Sequence, residues 1–141
     1  MEFHLKRNRR IKHILSLPFI YSMIIPAIIL DVFITLYHSV SFRLYNLPLI
    51  KRSSYIRIDR QKLQYLNAIE RIHCMYCGYV NGLFHYATVI AAETEKYWCG
   101  IQHKKGNGFI PPAHHKDFLP YGDKKAFEKK YLENDPYIKN K

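Results

Sequence analysis

One apolar stretch near the N-terminus constrains this chain more than any other feature. Ile14 to Val40 contains 27 residues, and Asp31 is the only ionised side chain among them. A helix of this length extends about 40 Å, whereas the hydrocarbon core of a bilayer is about 30 Å thick. Core helices of soluble proteins rarely stay apolar on all sides over such a length. The stretch therefore predicts a membrane-embedded helix over residues 14–40.

Basic residues bracket this stretch, in a chain whose net charge is +11. Five of them lie within residues 1–13, and Arg43, Lys51, Arg52 and Arg57 follow the apolar run. Lys and Arg next to a membrane segment interact with anionic lipid headgroups. We therefore expect an anionic membrane as a partner, with residues 1–13 as a cytoplasmic-type flank and residues 41–58 as an interfacial linker. The same charge distribution disfavours nucleic acid as a partner.

The sequence leaves the membrane topology open. Pro18 and Pro26 each remove a backbone donor, and Pro26 lies near the middle of the run. A spanning helix with a kink explains the prolines, and we favour it. A re-entrant hairpin that turns at Pro26 explains both the prolines and the nearly equal basic flanks, although its backbone would need to be covered by protein. A cleaved signal peptide is disfavoured because the run is too long and no small-residue cleavage site follows it.

Asp31 is costly if it lies deep in the hydrocarbon. A position near the end of the span, where its carboxylate reaches headgroup water, is the simpler expectation. A proton relay, an ion ligand or a helix–helix contact are the functional alternatives.

The remainder of the chain predicts a small helical domain. Asp59 has the position of an N-cap, and apolar residues follow it at helical spacing as far as Ile72. A second helix is predicted over Leu83–Lys96, with a break at Asn81-Gly82 between the two. The fold class is therefore mostly α, with an N-terminal membrane helix, a helical Cys/His domain over residues 59–123 and a polar C-terminal tail over residues 124–141.

The three cysteines and one histidine form a pattern typical of metal sites, Cys74-x2-Cys77-x21-Cys99-x3-His103. Two thiolates in C-x2-C can face one ion, and the last two residues complete a tetrahedral Cys3His set in which zinc is favoured over iron. Three cysteines in a chain of this length also exclude a secreted domain held together by disulfides.

Helix geometry keeps other arrangements of the cysteines open. A straight helix over residues 79–97 would hold Cys77 and Cys99 about 30 Å apart, so one ion could bind both only if residues 78–82 ran extended. A redox-active Cys74–Cys77 dithiol and ordinary buried thiols are further interpretations. Cys74 and Cys77 could also bind one ion together with Cys99 and His103 of a second chain. The other alternative ligands for Cys74 and Cys77 are His73, or the pair His114 and His115.

Several short motifs resemble those of a known family. They are Tyr65-Leu66-Asn67, Cys74-x-Tyr76-Cys77-x-Tyr79-x-Asn81-Gly82, Tyr97-Trp98-Cys99, and His114-His115 followed by Tyr121-Gly122-Asp123. From the apolar run to residue 123, the chain resembles a family of uncharacterised bacterial membrane-associated proteins. This resemblance implies a bacterial inner-membrane location and a cysteine set that acts as a unit, but it implies no activity. The family pattern favours proline after the third cysteine, where this chain has Gly100.

The predicted function is a small membrane-anchored protein whose Cys3His site acts structurally in a module that docks a protein partner or a second copy. The metal would stabilise a helical pair that is too small to be held by its own core. The alternative is a membrane-associated redox protein with a rubredoxin-like iron site or a Cys74–Cys77 dithiol. The chain has no P-loop, dinucleotide-binding or nucleophile-elbow motif, and no arrangement of acids and histidines selects a reaction. The sequence therefore favours a binding module over an enzyme.

Overall fold

The computed structural model describes residues 7–132, and the chain is mostly helical within that range, without a β-strand. The start of the basic flank and the end of the polar tail, residues 1–6 and 133–141, lie outside the described residues. The chain divides into two compact units, of which the first ends at Ile90 and the second begins at Ala91. The mostly helical fold class is thus confirmed.

Helices α1 (Arg7–Ser22) and α2 (Ile24–Leu44) form the apolar segment. Because Pro26 has no backbone N–H, it cannot bond to the carbonyl of Ser22, and α1 ends at that residue. The backbone N–H of Ala27 then bonds to the carbonyl of Met23 at 3.1 Å and begins the next helix. Residues Ile11–Leu44 form a helical segment that is long and apolar enough, by length and composition, to cross a membrane.

Helix α3 (Ala68–Trp98) begins with a capping box. The side chain of Asn67 accepts the backbone N–H of Glu70 at 2.9 Å, and the Glu70 carboxylate accepts the backbone N–H of Asn67 at 3.0 Å. The predicted helix start at Asp59 is wrong, because residues Arg60–Lys62 form a 3-10 helix of three residues. The Asn-x-x-Glu signal for the true start was present in the sequence.

Two glycines of α3 allow the preceding extended segment to pack directly on the helix. A Cβ at Gly78 would lie 2.9 Å from the carbonyl oxygen of Arg57, and a Cβ at Gly82 would lie 2.8 Å from that of Tyr55. The predicted break at Asn81-Gly82 is therefore wrong, since α3 continues through both glycines. Glycine weakens a helix, but a close backbone approach also requires it, and here the packing requirement prevails.

The core of the first unit lies between α2 and α3. Ala27 and Phe42 of α2 form it with four residues of α3: Val80, Leu83, Tyr86 and Ile90. His38 adds a buried polar link, because its Nε2 accepts the backbone N–H of Ile50 at 3.0 Å and its Nδ1 lies 3.1 Å from the Tyr86 hydroxyl. The linker after α2 is thereby fixed to both helices.

Asp31, the ionised residue of the apolar stretch, has protein partners in the first unit. The guanidinium of Arg52 contacts both carboxylate oxygens, with Oδ2 at 2.6 Å, and the Tyr79 hydroxyl donates to Oδ2 at 2.8 Å. The Asp31 side chain is 16% exposed and that of Arg52 is 40% exposed. The carboxylate is thus neutralised by the chain itself, and not by headgroup water as the sequence predicts.

The second unit contains the end of α3 and shorter elements. A parallel β-bridge joins Ile101 to Leu119, and a 3-10 helix covers Ala113–Asp117. Helix α4 (Lys124–Phe127) begins at Asp123, whose carboxylate accepts the backbone N–H of Ala126 at 2.9 Å. The π-helical segment Glu128–Leu132 completes the described chain.

Candidate metal centre

Three side chains of the second unit converge in a way that could hold a metal ion. Glu95, His103 and His115 each offer one ligand atom, and these atoms all lie within 4.8 Å of one another. Glu95 lies in the last turn of α3, His103 follows the bridged segment, and His115 lies in the 3-10 helix. The group therefore combines residues from three separate parts of the chain.

The carboxylate of Glu95 is the centre of this group. Its Oε1 accepts a hydrogen bond from His115 Nε2 at 3.0 Å, and its Oε2 accepts one from His114 Nε2 at 2.8 Å. The hydrogen bond from His114 lowers the pKa of Glu95 below its ordinary value, and the bond from His115 adds to this effect while partial burial opposes it. The carboxylate is therefore held in the ionised form that metal binding requires.

A glycine turn directs the chain from Glu95 towards His103. Gly100 has φ +59, and the backbone N–H groups of Cys99 and Gly100 both donate to the Glu95 carbonyl, at 2.8 and 3.0 Å. Proline has φ fixed near −65° and no N–H, so it cannot form this turn. The positive φ of this turn therefore requires a residue such as glycine at position 100.

The β-bridge and one glutamine hold the two histidine segments side by side. The backbone N–H of Gln102 donates to the Leu119 carbonyl at 2.8 Å, and that of Leu119 donates to the Gly100 carbonyl at 2.9 Å. The side-chain amide of Gln102 donates to the carbonyls of His115 and Phe118, at 2.9 and 3.1 Å. These bonds place the residue after Gln102, His103, next to the 3-10 helix.

His115 is the most enclosed member of the group. Its side chain is 3% exposed and stacks on Phe118, with ring centroids 4.9 Å apart. The ring of His103 lies on another side of it, with a centroid distance of 5.3 Å. Its Nδ1 is buried and has no hydrogen-bond partner among residues 7–132. A buried imidazole nitrogen that lacks a partner is a position where a bound water or small molecule would compensate the lost hydration, whereas the Nε2 atom of the same ring faces Glu95.

Two imidazoles and one carboxylate are a ligand set that zinc uses in proteins. Two ligand atoms at about 2.1 Å from a tetrahedral ion lie about 3.4 Å apart. The separation of 3.0 Å between His115 Nε2 and Glu95 Oε1 is close to that value. A divalent ion that replaced the shared proton could therefore bind both atoms after a small movement.

The predicted ligands are distributed between the two units. Cys74 and Cys77 lie within α3 in the first unit, Cys99 directly follows α3 in the second unit, and all three are free thiols. Of the four predicted ligands, His103 belongs to the converging group and the cysteines do not. The Cys-x2-Cys knuckle is not confirmed, because this segment is helical, and the Cys3His set as a whole stays a prediction.

Sequence reasoning missed Glu95 as a ligand. No short spacing connects it with His103 and His115, since the three residues converge only through the Gly100 turn and the bridge at Leu119. His114 and His115 are among the alternative metal ligands that the sequence predicts. The available signal was the presence of three histidines and a glutamate within residues 95–115.

No family model, curated protein or solved structure matches this chain. The family resemblance described above therefore stays a prediction. The chemistry of the candidate centre is inferred from its own residues.

The hydrogen bonds to Glu95 predict a specific dependence of stability on pH. The pKa of Glu95 is lower in the folded chain than in the unfolded chain. The ionised carboxylate therefore stabilises the fold fully above its unfolded pKa, and this stabilisation is lost as the pH falls through the folded pKa. In the presence of chelator, we expect the difference in melting temperature between pH 6 and pH 3 to be smaller in Glu95→Gln than in the wild type. Glu93→Gln is the matched control on the same helix. An unchanged pH dependence in Glu95→Gln would contradict the assignment.

Proposed function

We propose that this chain is a membrane-attached metal-binding protein in which Glu95, His103 and His115 hold one divalent ion. The observation that carries the proposal is the convergence of three ligand atoms within 4.8 Å. Two nitrogen donors and one carboxylate favour zinc over calcium or magnesium, which prefer oxygen donors alone. Iron is the alternative metal.

The ion would have a structural role that follows from the positions of its ligands. It would connect the end of α3 to the loop at His103 and to the 3-10 helix at His115. Such a link would stabilise a unit with few buried side chains. The sequence predicts the same structural role for the Cys3His set, and we propose it for a different set of ligands.

Three protein ligands leave one tetrahedral position for water or for a donor atom of a bound molecule. His103 and His115 also line a pocket of about 460 Å³. Its other lining residues include Lys105, Lys116, Phe109 and Pro111. We propose in addition that this unit binds a partner through an acidic group near the metal, and the pocket with its two lysines supports this.

The membrane attachment is supported by the apolar segment Ile11–Leu44. Its exposed apolar side chains include Phe19, Phe33 and Leu36, which are 78%, 66% and 60% exposed. An apolar surface of this size needs a partner, and a bilayer satisfies it over the whole length. The bacterial inner membrane, as the specific location, follows from the family resemblance alone.

Metal analysis of selected variants tests the proposed ligands. The protein is purified in mild detergent without chelator, and its metal content and visible absorption are measured. We expect one zinc per chain and no visible colour in the wild type. Glu95→Gln and His115→Ala should weaken zinc binding by about 100-fold or more, because each removes a direct ligand. Glu93→Gln and His85→Ala are controls that should retain the metal.

The double variant Cys74→Ser/Cys77→Ser separates the two predicted ligand sets. His103 belongs to both sets, so its substitution cannot distinguish them. Zinc retained in the double serine variant and lost in His115→Ala supports the proposal. Zinc lost in the double serine variant and retained in His115→Ala would instead establish the Cys3His set as the ligands. Iron with charge-transfer bands, or a reversible Cys74–Cys77 disulfide without metal, would make the redox alternative correct.

A further inference from the structure

The two sides of helices α1 and α2 have different surroundings in the first unit. On one side, Ala27, His38 and Phe42 are 1%, 5% and 0% exposed. On the opposite side, which we call the outer face, most residues are apolar and exposed. The apolar residues of this face on α2 are Ile25, Ile28, Ile29, Val32, Phe33, Leu36, Val40 and Leu44, and Arg43 is an exposed charge among them near the end of the helix. It continues on α1 with Ile14, Leu15 and Phe19.

The packed side is covered by a charged part of the chain. Ile50 is bonded to His38, and Arg52 is bonded to Asp31, so the linker passes back along α2. It then crosses α3 at Gly82 and Gly78, where residues 55–57 make their close backbone contacts. The Tyr76 hydroxyl, close by on α3, donates to the carbonyl of Ile20 in α1 at 2.5 Å.

This course places charged residues beside the middle of the apolar segment. Asp31 lies near the centre of Ile11–Leu44, and Arg52 meets it there with 40% of its side chain exposed. Further exposed charges follow at the end of the linker and directly after it, namely Arg57, Asp59 and Arg60. If the segment crossed the bilayer, these side chains would be at hydrocarbon depth, where ionised groups are costly.

We propose that α1 and α2 lie in the plane of one leaflet instead of crossing the bilayer. The outer face is immersed at the boundary between headgroups and acyl chains, and the linker and α3 stay on the water side. Helix α2 is apolar on its packed side too, since Ala27 and Phe42 belong to the core, but the linker that covers this side is charged. The unit as a whole thus has one apolar face and a charged opposite side, which is the arrangement of proteins that lie at a membrane interface. The exposed cations Lys51 and Arg57 of the linker, and Arg60 directly after it, complement anionic headgroups, which identifies the partner as an anionic lipid surface.

This inference rests on the proposed membrane attachment and adds its geometry. It also replaces the spanning helix favoured from the sequence. The physical reason is tertiary, since the sequence alone does not show that a charged linker folds back along the apolar segment.

Depth-dependent fluorescence quenching distinguishes the two geometries. In a Trp98→Phe background, single tryptophans replace Leu15, Ile29 or Leu44, which lie at the start, middle and end of the outer face. The full chain is reconstituted into phosphatidylcholine–phosphatidylglycerol vesicles that contain lipids brominated at different acyl positions. We expect all three tryptophans to report the same shallow depth. A deep residue 29 between two shallow residues would show a spanning helix and overturn the inference.

A substitution on the outer face provides the matched comparison. Leu36→Glu should weaken vesicle binding at least tenfold, because it places a charge among the acyl chains. Gln64→Glu changes the net charge equally at an exposed residue between the 3-10 helix Arg60–Lys62 and α3, and it should alter binding less than twofold. If the wild type did not bind vesicles, membrane attachment itself would be refuted. If it bound with residue 29 deep and residues 15 and 44 shallow, only the in-plane geometry would be refuted. Tryptophans that no brominated lipid quenches would show that protein covers the outer face, which also overturns the inference.

Discussion

Replacing Gly82 by valine is expected to destabilise the first unit by about 3 kcal/mol, since a new side chain must displace packed backbone. A Cβ at this position would lie 2.8 Å from both the carbonyl oxygen of Tyr55 and the Cα of Ile56. Neither atom is the end of a flexible side chain, so the linker would have to move away from α3. Because the same linker carries Arg52, the movement would also weaken the contact with Asp31.

Gly82→Ala tests the same contact through the sign of its effect. In an exposed helix interior, alanine is more favourable than glycine by about 1 kcal/mol. The close approach should reverse that preference, so that Gly82→Ala is destabilising. Asn81→Ala is a matched control on the exposed side of the same turn, where no such reversal is expected. Urea unfolding in mild detergent, followed by far-ultraviolet circular dichroism, gives the free energies. A stabilising Gly82→Ala would contradict the close packing of residues 55–57 on α3.

The parts of the fold that follow from local chemistry were predictable from the sequence. The length and composition of residues 14–40 predict an apolar helical segment, and the missing N–H of Pro26 explains its interruption at Met23. These features depend on neighbouring residues along the chain. For the same reason, the Asn67-x-x-Glu70 signal could have located the start of α3.

Whether a glycine marks a turn or a close packing contact depends on which part of the chain lies next to it in the fold. In sequence, Asn81-Gly82 has the composition of a turn, and Gly78 has the position of the glycine that follows a metal knuckle. In the structure, both glycines make room for a segment more than 20 residues upstream. No local pattern contains that information, which is why the predicted break between two helices was wrong.

The candidate metal centre shows the same limit for functional residues. A short spacing such as Cys74-x2-Cys77 can be recognised because the ligands are neighbours along the chain. Glu95 and His115 are 20 residues apart, and their contact depends on the positive φ of Gly100 and on the side chain of Gln102. A sequence pattern gives the donor atoms that are available, and the turns between them determine which ones meet.

The pair formed by Asp31 and Arg52 should respond asymmetrically to substitution. Arg52→Leu is expected to cost about 2 kcal/mol, between the values typical of exposed and buried pairs, since it leaves a carboxylate that is 16% exposed without its cation. Asp31→Leu should cost less, because the Arg52 side chain is 40% exposed and its guanidinium can reach water. The hydroxyl of Tyr79, at 2.8 Å from Asp31 Oδ2, recovers only part of the loss in Arg52→Leu.

The double variant Asp31→Leu/Arg52→Leu completes the cycle and measures the coupling between the two residues. Replacing both charges by apolar groups removes the uncompensated carboxylate, so the double variant should be more stable than Arg52→Leu alone. Additive effects of the two substitutions would show that the pair does not hold the linker on α2. Such a result would also weaken the in-plane geometry, because that geometry requires the linker charges to stay beside the middle of the apolar segment. A coupling that stabilises the fold, together with the shallow tryptophan depths, would show that this ion pair supports the in-plane binding of the chain to a membrane.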